Sequence, residues 1–450
     1  MESLLQDAAA RAVRYLQTLD DRAVAPSPGA VAALRGFDEP LPAGPRDPAE
    51  TLRQLDELGS PATTAMAGRR FFGFVIGGSL PVTLAANWLA GAWDQNTGLY
   101  RPTPGTAFLE QVALGWLLEL LRLPHGAGGA FVTGATVANF CGLAAARHRV
   151  LRDAGWNVEA DGLFGAPPVT VIVSAEAHPS VTKSLGLLGL GRSRVVKVPV
   201  DGQGRMRMAD FPVLSGPTIV CVQLGNVNTG ACDPVAEVCR RARDAGAWVH
   251  VDGAFGLWAA AAPAHAHLTA GVGEADSWAT DAHKWLNVPY DCGLAFVRDP
   301  HALRAAMAIT AEYLPTDAAF RNPGDFTPEL SRRARGVEVW AALRTLGATG
   351  VAAMIERNCA QARQFAARLA AAGCEILNEV VLNQVLVAFG DAERTKRVIQ
   401  GVQDDGTCWA GITVWQGRTA MRISVSSWAT TEADVERSVE AILRVARRAG

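Results

Sequence analysis

Two short stretches of the 450-residue chain carry residue types that could do chemistry together. Trp248–Val251 is an apolar run ending in a carboxylate, Asp252, within WVHVDGAFGLW. Ser277–Thr280 is a second run, followed in DSWATDAHKWL by His283 and Lys284. An acid and a lysine at the ends of two strands are what a pyridine aldehyde cofactor requires: an anion for its ring nitrogen and an amine for its aldehyde. Amines are scarce in this chain. Of 42 basic residues only four are lysines, Lys183, Lys197, Lys284 and Lys396, and an arginine with a pKa above about 12 cannot serve as the nucleophile. Lys197 falls inside a strand-like run, Lys183 on a helix and Lys396 far along the chain, which favours Lys284.

These residues need a scaffold that gathers strand ends at one edge. Apolar runs at 169–174, 194–199, 218–223, 247–251, 277–280 and 293–297 are separated mostly by helical or mixed segments, notably Pro234–Ala245. Near-continuous apolar strands with helical connections predict a mainly parallel sheet covered on both faces, so the fold class is α/β. In such sheets ligands collect beyond the carboxyl ends of the strands. His178 follows the first of these runs, Asn226 and Asn228 the third, Asp252 the fourth, and His283-Lys284 the fifth. Upstream, FVTGATVANFCGLAAARHRVL places a Gly134-Ala135-Thr136 turn before a helix, where backbone N–H groups and the Thr136 hydroxyl can hold a phosphate. Singly, each has a plainer reading: a tight turn, a structural histidine, a capping or ion-paired aspartate, a surface lysine. Jointly, one cofactor accounts for them all, with phosphate on 134–136, His178 stacked on the ring, Asp252 on the ring nitrogen and Lys284 on the aldehyde.

The rest of the chain divides into three. Residues 1–75 begin with helical spacing (Leu5, Ala8, Ala9, Ala12, Val13, Leu16), continue through Pro/Gly segments and read as an arm. Residues 76–345 hold the sheet. Residues 346–450 read as a smaller α+β domain, with a helix Val351–Ala372 stopped by Gly373, short strands, and the capping-box spacing Thr431-x-x-Asp434. A net charge of −2 without a basic stripe argues against nucleic acid. Apolar stretches broken by Gly, Pro or Arg argue against a membrane span, and residues 1–20 lack a secretory pattern. Eight scattered cysteines without a CxxC pair indicate a reducing, cytoplasmic setting and give no support to a metal site. A nicotinamide site fails for want of GxGxxG after a first strand.

The order TGATVANFCGLAAAR, SAEAHPSV, QLGNVNTGACDP, WVHVDGAFG and DAHKWLNVPYDCG resembles the group II pyridoxal-phosphate-dependent amino acid decarboxylases, which include the aromatic-L-amino-acid and glutamate decarboxylases. The resemblance runs from RRFFGFV to MRISVSSWATTEADV. It implies an aspartate-aminotransferase-like large domain (fold type I), pyridoxal 5′-phosphate as cofactor, and a homodimer with active sites at the interface, the arm wrapping the partner. By resemblance Lys284 is the Schiff-base lysine, Asp252 the pyridinium partner, and His178 the stacking residue that helps position the substrate carboxylate. Ala254 would pack on the other ring face, and Ala135, Thr136, Asp281 and His283 match positions near the phosphate.

Departures from the family pattern matter. Relatives often carry Thr-Thr where this chain has Asn226-Val227, so Asn226 or Asn228 would meet the phenolic oxygen of the cofactor. Aromatic decarboxylases place a tyrosine on a mobile loop to protonate the substrate carbon after CO₂ leaves. Here the nearest match is Phe326, in GDFTPELSRR, and a phenylalanine there accompanies aldehyde formation in related plant and insect enzymes. Tyr313 is the only tyrosine nearby, as a catalytic or a packing residue. The expected activity is decarboxylation of an L-amino acid to its amine. The rivals are an aldehyde synthase, an aminotransferase using Arg422, and a catalytically silent cofactor-binding protein. Phe71, Phe72, Phe74, Trp93 and Tyr100 favour an aromatic or bulky substrate, while Arg69, Arg70 and Arg101 leave an acidic one open.

Overall fold

The computed structural model describes residues 1–309 and 320–449. Its contacts divide the chain into two units, Gly77–Ala360 with Asn378–Gln384, and Met1–Ile76 with Gln361–Leu377 and Val385–Gly450. The N-terminal segment thus groups with the C-terminal residues instead of standing as a third body.

The larger unit is built on seven strands: β1 (Gly128–Val132), β2 (Thr170–Ser174), β3 (Val196–Val198), β4 (Thr218–Gln223), β5 (Trp248–Asp252), β6 (Ser277–Asp281) and β7 (Gly293–Val297). Their spatial order is β1-β7-β6-β5-β4-β2-β3. The β6, β5, β4, β2 and β3 pairings are parallel, and β7 is antiparallel to both neighbours, so β1 runs with the others. Apolar runs such as TIVCVQ bury every residue of the strand, as expected of a sheet covered on both faces. β3, the edge strand opposite β1, is mostly exposed and carries Lys197, a charge suited to an unpaired edge. The helix Ala135–Asp153 packs on one face, its Ala138, Cys141 and Ala145 in one buried cluster with Val171, Val173 and Cys221 of the strands. Trp258, Trp278 and Trp285 are fully buried, their indole N–H groups donating to the Asp281 carbonyl, the Val272 carbonyl and Asn358 Oδ1.

The smaller unit carries a four-stranded sheet in the order Gly411–Trp415, Arg418–Ser424, Gln384–Ala388, Glu375–Ile376. The first of these strands has no counterpart in the sequence reading. Its Ile412 and Val414 face solvent, and the alternation is too short to stand out beside the Gly and Trp around it. The capping box closes as its spacing requires, with Thr431 Oγ1 accepting from Asp434 N and Asp434 Oδ2 accepting from Thr431 N. Two pocket expectations are corrected within this unit. Phe71 and Phe72 are buried, stacked on Trp409 and edge-on to Phe365. Arg70 is buried, donating to the Thr407 and Asp20 carbonyls and paired with Asp434 at 3.4 Å. Packing uses up all three.

Candidate active site

The strand order brings the carboxyl ends of β1, β6, β5, β4 and β2 to one edge of the larger unit, and most of the expected residues gather there. Asp252 ends β5 almost fully buried. Burial raises its carboxyl above the usual range, against the lowering effects of His178, Lys284 and a hydrogen bond from the Asn139 side chain. A carboxylate in that setting calls for a cation, because an unpaired buried charge costs several kcal/mol. Lys284 Nζ lies 2.9 Å from Asp281 Oδ2 at the end of β6. Asp281 Oδ1 accepts from Ala135 N at 2.6 Å, joining that strand end to the start of the Ala135–Asp153 helix. Ala135 N–H is therefore used by the protein itself, and Thr136 and Val137 are left to present the remaining first-turn N–H groups to an anion.

His283 is mostly buried, with Tyr290 stacked on it at 4.2 Å between ring centres. Its Nδ1 accepts from Cys292 N at 3.1 Å, so the proton of the neutral ring is on Nε2, 3.7 Å from Asp281 Oδ1. Burial lowers the pKa of this ring. The turn beside it depends on a second glycine. A methyl group at Gly293, on β7, would overlap Gly134 Cα and lie 2.8 Å from Gly134 N. His178 is the N-cap of Pro179–Leu187 and is exposed. Its Nδ1 accepts from Ser180 N at 3.2 Å, which assigns the proton of the neutral imidazole to Nε2. Ala254 is half-buried between the ends of β5 and β6, donating to Asp252 Oδ1 at 3.3 Å and accepting from Asp281 N.

Three sequence expectations meet a different geometry. Asn226 is committed to its own loop: Oδ1 accepts from Asn228 N and Thr229 N, and Nδ2 donates to Glu176. Asn228 enters that turn through its backbone. Phe326 packs against the buried cluster under Ala135–Asp153, and the Arg321 guanidinium lies 4.3 Å over its ring. Arg321 also donates to the Gly129 carbonyl, at the start of β1 and so toward the opposite end of the sheet from Lys284. Within this chain Phe326 is not brought to the site. Tyr313 lies outside the described residues.

The structure adds residues that motif reading passed over. Gln223 ends β4 in register with Asp252, so both side chains fall on one face of the sheet. It is buried, and its Oε1 has no hydrogen-bond partner among the described residues. Asn139, Ser180 and His250 lie beneath Asp252 and His178. A signal for two of them was present: Asn139 is one helical turn after Ala135, and His250 precedes Asp252 by two on a strand.

This donor set fits a phosphorylated pyridine aldehyde. It offers an amine, a buried anion lacking a full cation, a helix N-terminus of 19 residues with first-turn N–H groups, an imidazole open on one face, and an orphan buried carbonyl. The model of the pyridoxal-dependent decarboxylase conserved domain matches residues 35–390. The chain belongs to this decarboxylase family. Its cofactor is pyridoxal phosphate and its reaction class is that of a carboxy-lyase. Tryptophan decarboxylase 1 of Oryza sativa subsp. japonica is 28% identical over 432 residues, covering 87% of this chain and 83% of that protein. A tyrosine decarboxylase of the same organism is 30% identical over 377 residues, covering 78% and 69%. In fold, a crystal structure of Oryza sativa TDC with PLP and tryptamine superposes with a TM-score of 0.91 at 24% identity, over 99% of this chain and 97% of that one. Among the described residues no helix is long and apolar enough to cross a membrane.

Proposed function

We propose that this decarboxylase acts on an aromatic L-amino acid, releasing CO₂ and the corresponding amine, with Lys284, Asp252 and His178 as its principal catalytic residues. The juxtaposition of Lys284 with buried Asp252 at the ends of β6 and β5 carries the residue assignment, and the names of the curated relatives support the substrate class. When bound, pyridoxal phosphate supplies an electron sink for the pair left behind as CO₂ departs. The chain's own part is electrostatic and positional. Lys284, which pairs with the Asp281 carboxylate at 2.9 Å, is the amine that would hold the aldehyde. Asp252 would keep a proton on the ring nitrogen, and a charged ring would in turn relieve the cost of burying that carboxylate. His178, with its proton on Nε2, would stack on the ring and donate toward the substrate carboxylate. The Thr136 and Val137 N–H groups would hold the phosphate, with the Nε2–H of His283 beside them.

The protein is proposed to work as a cytoplasmic homodimer. An apolar strip on the helices Pro81–Trp93 and Pro104–Leu120 exposes Trp88, Leu89, Trp93 and Phe108, large side chains of the kind an interface covers. Eight unpaired cysteines suit a reducing compartment. A screen across the common L-amino acids, measuring CO₂, amine, aldehyde and H₂O₂ together, tests the reaction and its substrate. Amine and CO₂ in equal amounts from an aromatic substrate is the expected result. Aldehyde with H₂O₂ would make it an aldehyde synthase, and an acidic substrate would overturn the substrate class.

A further inference from the structure

A continuous line of buried polar groups runs beneath the two side chains proposed to face the cofactor ring. It starts at Trp248 on β5, whose indole N–H donates to Ser277 Oγ at 2.8 Å. Ser277 Oγ lies 2.8 Å from His250 Nδ1, and His250 Nε2 lies 2.8 Å from Asn139 Oδ1. Asn139 Nδ2 is 3.2 Å from Ser180 Oγ, which is 2.7 Å from His178 Nδ1. The Asn139 side chain also hydrogen-bonds Asp252. Ser277, His250 and Asn139 are completely buried and Ser180 nearly so.

The direction of every bond follows from the groups that have no choice. An ionised carboxylate only accepts, so Asn139 turns its NH₂ to Asp252 and its Oδ1 to His250 Nε2, and His250 Nδ1 is left to accept from Ser277 Oγ–H, whose oxygen takes the Trp248 indole N–H. The neutral His250 ring then carries its proton on Nε2 and donates to the Asn139 carbonyl. Burial alone holds this ring neutral, its pKa pushed down to about 3. With its oxygen fixed, the Asn139 amide points both hydrogens the other way, one to Ser180 Oγ and one to the Asp252 carboxylate. Ser180 passes its hydrogen to His178 Nδ1, which also accepts Ser180 N–H. Every donor in the line finds an acceptor, and His178 Nδ1 is shared by the Ser180 hydroxyl and the Ser180 N–H. A second feature of the helix makes room for it. Gly142 lies one turn beyond Asn139, and a methyl group there would sit 2.7 Å from His250 Cε1 and 2.8 Å from Nδ1.

We infer that Asn139 is a positioning residue that couples the carboxylate facing the ring nitrogen to the imidazole stacked on the ring, and that His250 fixes the orientation of its amide. The inference rests on the proposed roles of Asp252 and His178. Flipping Asn139 would turn its carbonyl on Asp252 and on Ser180 Oγ, and would set its NH₂ against the His250 N–H. With His250 protonated on Nε2 that state sets donor against donor, so this tautomer favours the orientation that gives Asp252 an N–H and leaves the Ser180 hydroxyl hydrogen to His178 Nδ1. The other groups around Asp252 are Lys284 and Asp281 at the end of β6, Cys221 and Gln223 on β4, and His178. None of them holds both Asp252 and His178 in one amide.

The test uses full-length protein stripped of cofactor and titrated with pyridoxal phosphate, followed by its visible absorption band. The dissociation constant and the pH midpoint of that band are recorded for Asn139→Leu, Ser180→Ala, and the pair His250→Leu and His250→Gln. Loss of one hydrogen bond to a charged group predicts about 10- to 100-fold weaker binding for Asn139→Leu, with a displaced midpoint. Ser180→Ala is expected to move the midpoint with a smaller change in affinity. His250→Leu weakens binding, and His250→Gln, which can again offer an N–H to Asn139, restores most of it. A merely structural role would lower the melting temperature and leave the midpoint alone. If the variants bind with the wild-type constant and midpoint, the proposal is overturned. Should Asn139→Leu fail to fold, Ser180→Ala and the His250 pair decide by the same two readings. Asp252→Asn separates the levels: if it binds cofactor like wild type, the assigned role of Asp252 fails, whereas its weakening beside unchanged network variants rejects only the coupling.

Discussion

Acid sensitivity of the fold is the most quantitative consequence of the buried histidine. His250 has no exposure to solvent, and its pKa falls from an ordinary 6.5 to about 3. The unfolded chain therefore binds more protons at this residue than the folded one between those values, and stability rises with pH across that window and is lost as pH falls through it. Each pH unit inside the window is worth about 1.4 kcal/mol, so a drop from pH 6.5 to 4 costs roughly 3 kcal/mol from this side chain alone. That is a large share of the 5–15 kcal/mol typical of whole proteins. The perturbation is His250→Gln, which keeps a polar side chain and cannot take up the proton. Urea unfolding of both proteins at pH 6.5 and pH 4 gives the difference directly, since other acid-labile groups are common to both. Wild type should lose roughly 3 kcal/mol more than the variant. Parallel losses in the two proteins would refute the assignment of a neutral, buried His250.

Other predictions are independent of that histidine. Lys284→Ala should abolish multiple turnover in a CO₂-release assay, and sustained turnover by the variant would sink the assignment of the amine. Glu110 is fully buried and pairs with Arg332 at 2.7 Å and Arg321 at 3.3 Å. Glu110→Gln leaves two guanidinium groups without their carboxylate and should cost about 3–5 kcal/mol by denaturant titration; a loss under about 1 kcal/mol would show that the pair is not buried in solution. Trp88→Asp combined with Phe108→Asp should convert the dimer to monomers in sedimentation analysis, and an unchanged dimer would place the interface elsewhere.

Position was legible from sequence wherever a residue type had to stand at a strand end. Asp252, His178 and Lys284 could be placed without coordinates because strand and turn signals locate the carboxyl edge of the sheet. What escaped was whatever depended on contact across the chain. Asn226 looks like a ligand because it follows β4, yet its amide closes the 226–229 turn. Phe326 aligns with a catalytic loop position, but the Arg321 stack holds it against the core. Phe71 and Phe72 suggest an aromatic pocket by composition, whereas their partners Trp409 and Phe365 lie hundreds of residues away in sequence. The polar line through Asn139 and His250 was invisible for the same reason: its links join two helices and two strands, and no local pattern announces them.

The overlap that a side chain at Gly293 would make with Gly134 also bears on how this protein can vary. The phosphate-side turn has a wall made of another strand's backbone, and a backbone wall cannot repack. Gly134 is thus constrained from outside its own turn, by a residue that touches no ligand. A library that randomises the 133–137 turn while leaving β7 fixed explores only shapes that fit this wall. One that also relaxes Gly293 would lose most members before any altered turn could be selected. Drift in the turn is therefore gated by β7, and Gly293 is the position to hold fixed while the turn is varied.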